Sequence, residues 1–158
     1  MDEAQWLRLF DTIAPTKDLA RVKASLSSGH LDAQDEWGMT ALHLAVVSDW
    51  PDGMRVLVAA GANTELRYFR TGATALYTAV QEKNEAAVKV LLEGGAKPDA
   101  ANYWGKTPRE WAPTVGLPHL FVGVPERAAD LPEPMVQNAE HLADHHYPRF
   151  KIPSRKER

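Results

Sequence analysis

A chain of 158 residues, 44% apolar and 25% charged with a formal net charge of −3, reads as one compact domain followed by a tail. No stretch has the length and apolarity of a membrane span. No dense basic face of the kind nucleic acid requires is laid out either, since residues 1–66 hold ten acids and five bases, residues 67–112 five acids and seven bases, and residues 113–158 six of each. The absence of cysteine rules out disulfides, zinc–thiolate sites and a thiol nucleophile.

The opening residues Met1-Asp-Glu-Ala-Gln-Trp6 lack a basic region followed by an apolar run, so no secretory leader is expected and the address reads as cytoplasmic. Trp6, Leu7, Leu9, Phe10 and Ile13 predict a short inner helix. After Pro15, Leu19, Val22 and Leu26 share one face of an outer partner that stops at Ser28-Gly29. Asp2, Glu3, Asp11, Lys17, Arg21 and Lys23 would face outward, as a terminal unit over residues 1–34 requires.

A repeat follows. Gly38-Met-Thr40-Ala-Leu42-His43-Leu-Ala45 returns 34 residues later as Gly72-Ala-Thr74-Ala-Leu76-Tyr77-Thr-Ala79, and again 33 residues on as Gly105-Lys-Thr107-Pro-Arg109-Glu-Trp-Ala112. Val56-Leu-Val58-Ala-Ala-Gly61-Ala62 likewise answers Val90-Leu-Leu92-Glu-Gly-Gly95-Ala96. Each turn glycine can take positive φ without steric cost, and Thr40, Thr74 and Thr107 are placed to cap a helix two residues later. Pro108 falls at a first helical position, where its missing N–H costs nothing. Leu42, Ala45 and Val46, like Leu76, Ala79 and Val80, form one apolar face, with Leu42, Leu76, Leu91 and Leu92 as candidate core.

Self-similarity at this period resembles the ankyrin-repeat family across roughly residues 5 to 112. The resemblance implies an all-α solenoid of helix–turn–helix units with projecting hairpin fingers: a degenerate cap over 1–34, repeats over 35–68 and 69–101, and a partial repeat over 102–112. It also implies that His43 hydrogen-bonds backbone or a threonine of a neighbouring unit, and that the chain binds another protein through finger tips and the concave face of the inner helices.

Seven of the eleven prolines fall after Ala112, predicting a proline-rich irregular segment over 113–158. Arg109 stands where the other units have leucine, and with Pro113 it should break the third repeat. Leu117, Leu120, Phe121 and Val122 would then cover the open end in place of an outer helix. Met135, Val136, Ala139, Leu142 and Ala143 predict one short helix near 133–146, and the basic Arg149–Arg158 reads as leading toward a further domain.

Candidate binding residues cluster at the predicted fingers. Trp37 and Trp104 occupy the same slot before the turn glycine, Tyr103 neighbours Trp104, and Tyr68, Phe69 and Arg70 arrive with a one-residue insertion before Gly72. Tyr77 takes the histidine slot of the second inner helix. Repeated aromatics on projecting tips have the composition of a hot-spot surface, with Asp35 and Glu36 as rim charges that steer association. Trp50 and Trp111, at repeat ends, read instead as lids over apolar surface.

His141 and His145 are four residues apart on a predicted helix face, with Glu140 and Asp144 beside them, but the arrangement lacks the His-Glu-x-x-His order. No glycine-rich phosphate loop, Gly-x-Ser-x-Gly elbow or Ser-x-x-Lys pair is present, so no enzyme class and no cofactor is indicated. The reading is a non-catalytic protein-binding module, monomeric by itself. An immunity protein that occludes a bacterial toxin enzyme is a second reading, and metal-dependent chemistry on His141 and His145 a third.

Overall fold

The computed structural model describes residues 3–26 and 29–125. Among them, seven α-helices alternate between two stacks, and the one β-contact is an isolated bridge between Arg67 and Thr74. The inner stack is α1 (Glu3–Ile13), α3 (Ala41–Val47), α5 (Ala75–Gln81) and α7 (Pro108–Val115). The outer stack is α2 (Leu19–Ser25), α4 (Pro51–Ala59) and α6 (Glu85–Glu93), each packed on its own inner partner, with α4 in contact with both α2 and α6.

Local chemistry explains these short helices. Thr40, Thr74 and Thr107 sit in extended backbone, and their hydroxyls accept the amides of His43, Tyr77 and Glu110, satisfying donors that a helix start leaves orphaned. Asp18 and Asn84 do the same for α2 and α6. Seven to nine residues rarely make a stable helix alone, so stability comes from the packed faces. Ala45, Ala79 and Ala112 are fully buried at one register position, which lets successive inner helices approach closely. Leu42, Leu57, Leu76 and Leu91 fill the space between the stacks. Leu92, expected in the core, is only partly buried, because α6 turns Val88 and Leu91 inward and the next residue points away. Trp50 is a core residue that packs on Phe10 with ring centroids 6.0 Å apart, and Gly53 makes room for its indole.

The end of the array differs from expectation only in part. Among the described residues the repeat begun at Gly105 has no outer α-helix, as expected, but Arg109 and Pro113 do not end its inner helix α7, which continues through Pro113 to Val115. Proline at this point deletes a single backbone hydrogen bond near the helix end, and Gly116 in the left-handed conformation then terminates the helix. A 3₁₀ turn over Pro118–Phe121 packs on α6 and α7 in place of an outer helix. It buries Leu117 and Phe121 and partly covers Leu120, whereas Val122 is exposed, contrary to its expected covering role. The helix expected near 133–146, the pair His141 and His145, and the basic Arg149–Arg158 all lie outside the described residues.

Candidate functional site

The fingers are built by side chains that close their own turns. Asp35 Oδ1 accepts from the amides of Trp37 at 2.9 Å and Met39 at 2.8 Å, and Asn102 Oδ1 accepts from those of Trp104 and Lys106, each at 3.0 Å. Each turn holds its tryptophan one residue before glycine with the indole outward, so that Trp37 is 50% and Trp104 64% exposed. Asp35 is thereby committed to the fold of the tip and is not a free rim charge. Glu36 remains exposed at the apex.

Neighbouring fingers are stitched together. The Phe69 amide donates to the Trp37 carbonyl at 2.8 Å, and the Tyr103 amide to the Thr71 carbonyl at 2.9 Å. Gln34 donates to the carbonyls of Gly38 and Arg67, and the Arg67 guanidinium donates to those of Gly72 and Ala101, one repeat further on. The next finger's ring lies over each turn: a Cβ on Gly38 would sit 2.6 Å from the Phe69 ring, and one on Gly72 2.5 Å from that of Tyr103. Phe69 still exposes 53% of its surface, while Tyr68, Arg70 and Tyr103 are half-buried.

Between fingers and inner helices the concave side holds two hollows. One of about 1040 Å³ runs from α1, with Leu7, Arg8 and Asp11, to Trp37, Met39 and Leu44. The other, of about 250 Å³, lies among Thr71, Tyr77, Gln81, Trp104, Lys106 and Trp111. Tyr77, expected as a contact residue, is only 4% exposed and stacks on Trp111 at 6.5 Å, so it forms floor and not contact surface. Trp111, expected only as a lid, lines the second hollow. The contributions of α1 and of Met39, Leu44 and Lys106 were not singled out from sequence. Their signal was the register itself, since Met39 and Lys106 share the slot after a turn glycine and Leu44 and Trp111 share a slot of their inner helices.

The ankyrin-repeat family model, describing three copies of the repeat, matches residues 13–102. The chain belongs to the ankyrin-repeat family. It is 32% identical over 124 residues to the nuclear factor NF-kappa-B p105 subunit of Gallus gallus, covering 78% of this chain and 12% of that protein. It is 32% identical over 110 residues to the B-cell lymphoma 3 protein homolog of Mus musculus, covering 67% and 24%. Similarity to the NF-kappa-B inhibitor epsilon of Homo sapiens is 46% identity over 68 residues, covering 43% and 13%. The chain thus spans about a quarter or less of the length of these relatives. Ankyrin repeats bind other proteins, and this chain is a protein–protein interaction module.

The ankyrin histidine and its counterpart show what the interior does to titratable groups. His43 Nδ1 lies 2.9 Å from the Thr40 hydroxyl and accepts the Thr40 amide at 3.3 Å, closing a reciprocal cap within its own unit. With both donors aimed at Nδ1, the neutral ring carries its proton on Nε2. Burial lowers its pKa to about 4, and the backbone of Ala73 offsets part of that without reaching full hydrogen-bond geometry to Nε2. Burial likewise raises the Tyr77 phenol, with the Asn102 side chain acting in the opposite sense. Neither group meets an acid or nucleophile arranged for proton transfer. Among the described residues no group of three or more potential ligands could hold a metal ion.

Proposed function

We propose that this ankyrin module recognises its partner through the concave face and finger tips, with Trp37 and Trp104 as the principal anchors and Glu36, Phe69, Arg70 and Tyr103 around them. The carrying observation is that two large indoles half or more exposed are held outward by turns whose own polar groups are satisfied. An exposed aromatic on a pre-organised turn loses little conformational freedom on binding, which is the circumstance in which such residues dominate affinity. The reading includes a non-catalytic, cytoplasmic chain, monomeric until it meets its partner. Its ligand is a protein and not a nucleic acid or a bilayer: Arg8, Arg70 and Lys106 are interspersed with Asp11 and Glu36, and no helix among the described residues is long and apolar enough to cross a membrane.

Affinity capture followed by dissociation constants for the captured partner tests this. Trp37→Ala and Trp104→Ala should each weaken binding by about thirtyfold, corresponding to roughly 2 kcal/mol, with the melting temperature unchanged. Lys89→Ala and Glu93→Ala on the outer stack should be silent. The reverse pattern would place the partner on the convex side. A second reading, occlusion of the partner's working surface, is supported by similarity to a protein named as an inhibitor, and an immunity protein against a toxin enzyme would be one instance. It requires that the two tryptophan variants also lose inhibition of the captured partner.

A further inference from the structure

Register shows how the concave face is divided. Before the turn glycines stand Trp37, Thr71 and Trp104. After them come Met39, Ala73 and Lys106, and the inner helices add Leu44, Thr78 and Trp111. At these three slots large side chains mark the first and third units and small ones the second, whose finger instead carries Phe69, 53% exposed, and Arg70. The face carries two lobes, one at each hollow, and the second unit contributes Tyr68 to the first and Thr71, Tyr77 and Gln81 to the second.

The lobes differ in charge. Asp11, Asp35 and Glu36 line the first against Arg8, while Lys106 lines the second. Six finger amides are already paired. The amides of Trp37, Met39, Trp104 and Lys106 are taken by Asp35 and Asn102, and those of Phe69 and Tyr103 by the preceding finger. Strand addition needs unpaired edge groups, whereas a helix laid in a groove is read by side chains alone. A helix also carries a positive N-terminal end that suits the acidic lobe and a negative C-terminal end that suits Lys106.

We propose that the concave face takes an amphipathic helix of the partner protein, laid across α5 with one large apolar anchor in each lobe and its N-terminal end over the first. This rests on the reading of the face as the partner site. Two repeat layers, each about 8–10 Å wide, separate the lobes by roughly 16–20 Å. At about 1.5 Å per residue that is near eleven residues, a spacing that returns to the same side of a helix after three turns.

The test uses the full chain and fluorescein-labelled, hydrocarbon-stapled helical peptides carrying two tryptophan anchors 4, 11 or 18 residues apart, with lysines near the N-terminal anchor. The expected result is anisotropy-detected binding at least tenfold tighter for the 11-residue spacing. Trp37→Ala and Trp104→Ala should each abolish that preference. Thr78→Trp, which puts an indole on α5 at the register of Leu44 and Trp111, should weaken the 11-residue peptide while leaving the circular dichroism spectrum unchanged. Equal affinity at all spacings, no binding by any peptide, or preference for an unstapled extended six-residue peptide would overturn the proposal. So would occupation of the face by a synthetic peptide of residues 149–158 in its place, or by a second copy of the chain in sedimentation. If the peptides fail but the captured partner still depends on both tryptophans, only the helical mode is lost. If the partner ignores the tryptophans, the underlying reading falls with it.

Discussion

Arg109 occupies the register position of Leu42 and Leu76, and Arg109→Ala tests what the exchange of leucine for arginine accomplishes. Its guanidinium meets Asp99 in a two-pronged pair, Nε to Oδ1 at 2.7 Å and Nη2 to Oδ2 at 3.1 Å. It also donates to the Val124 carbonyl at 3.0 Å and the Pro125 carbonyl at 2.7 Å, and lies 6.0 Å from the centre of the Phe121 ring. The side chains are 18% and 10% exposed, so both charges sit largely out of water. Removing one partner of a buried pair costs about 3–5 kcal/mol, because the other charge is left uncompensated. Discounting for the residual exposure, we expect about 2–4 kcal/mol, a large share of the roughly 5–15 kcal/mol that holds a domain of this size. Arg109→Leu restores the residue of the other units but takes the guanidinium from Asp99, so it too should destabilise, and adding Asp99→Asn should recover part of the loss. Urea unfolding followed by circular dichroism gives the midpoint and slope. A lower slope in Arg109→Ala would mean that less surface is buried, as expected if residues 117–125 come away. A change below about half a kcal/mol, or an Arg109→Leu variant more stable than the parent, would refute the view that this arginine pins the chain end to the array.

Two further predictions concern the core. Leu76→Ala removes a fully buried side chain from the central inner helix and should cost about 2–5 kcal/mol in the same urea assay, and a cost near zero would mean that α5 tolerates a cavity at its most enclosed position. His43 titrates near 4 when folded, against an ordinary value of 6.5, so on acidification the unfolded chain takes up its proton first. Stability should therefore be complete above pH 6.5, fall by on the order of 3 kcal/mol as pH drops toward 4, and level off below. His43→Gln, which keeps an acceptor for the Thr40 amide without titrating in this range, should flatten that decline. Matching pH profiles for the two proteins would rule out His43 as its source.

The architecture was legible because its determinants are local and repeated. A glycine turn, a threonine two residues on and an alanine five beyond that each act within a few residues, so the same letters produce the same capped helix wherever they recur. The position of Trp37 and Trp104 on the fingers was legible for the same reason. What the letters did not reveal depends on neighbours a full repeat away or on the far side of a turn. Asp35 reads as a surface acid until its carboxylate is seen closing the finger. Tyr77 reads as a contact residue until Trp111, from the next inner helix, covers it. Arg109 reads as a break in the pattern, because the carboxylate and carbonyls that satisfy it come from ten to sixteen residues away. The two lobes of the concave face emerge only when three units are stacked, since an exposed groove depends on which side chains align across repeats and not on any one of them. Sequence alone determined the repeat and its period through short-range backbone chemistry. Only the tertiary stack decided which side chains close turns, which fill the floor and which remain free to meet a partner, because burial and pairing are properties of the assembled layers.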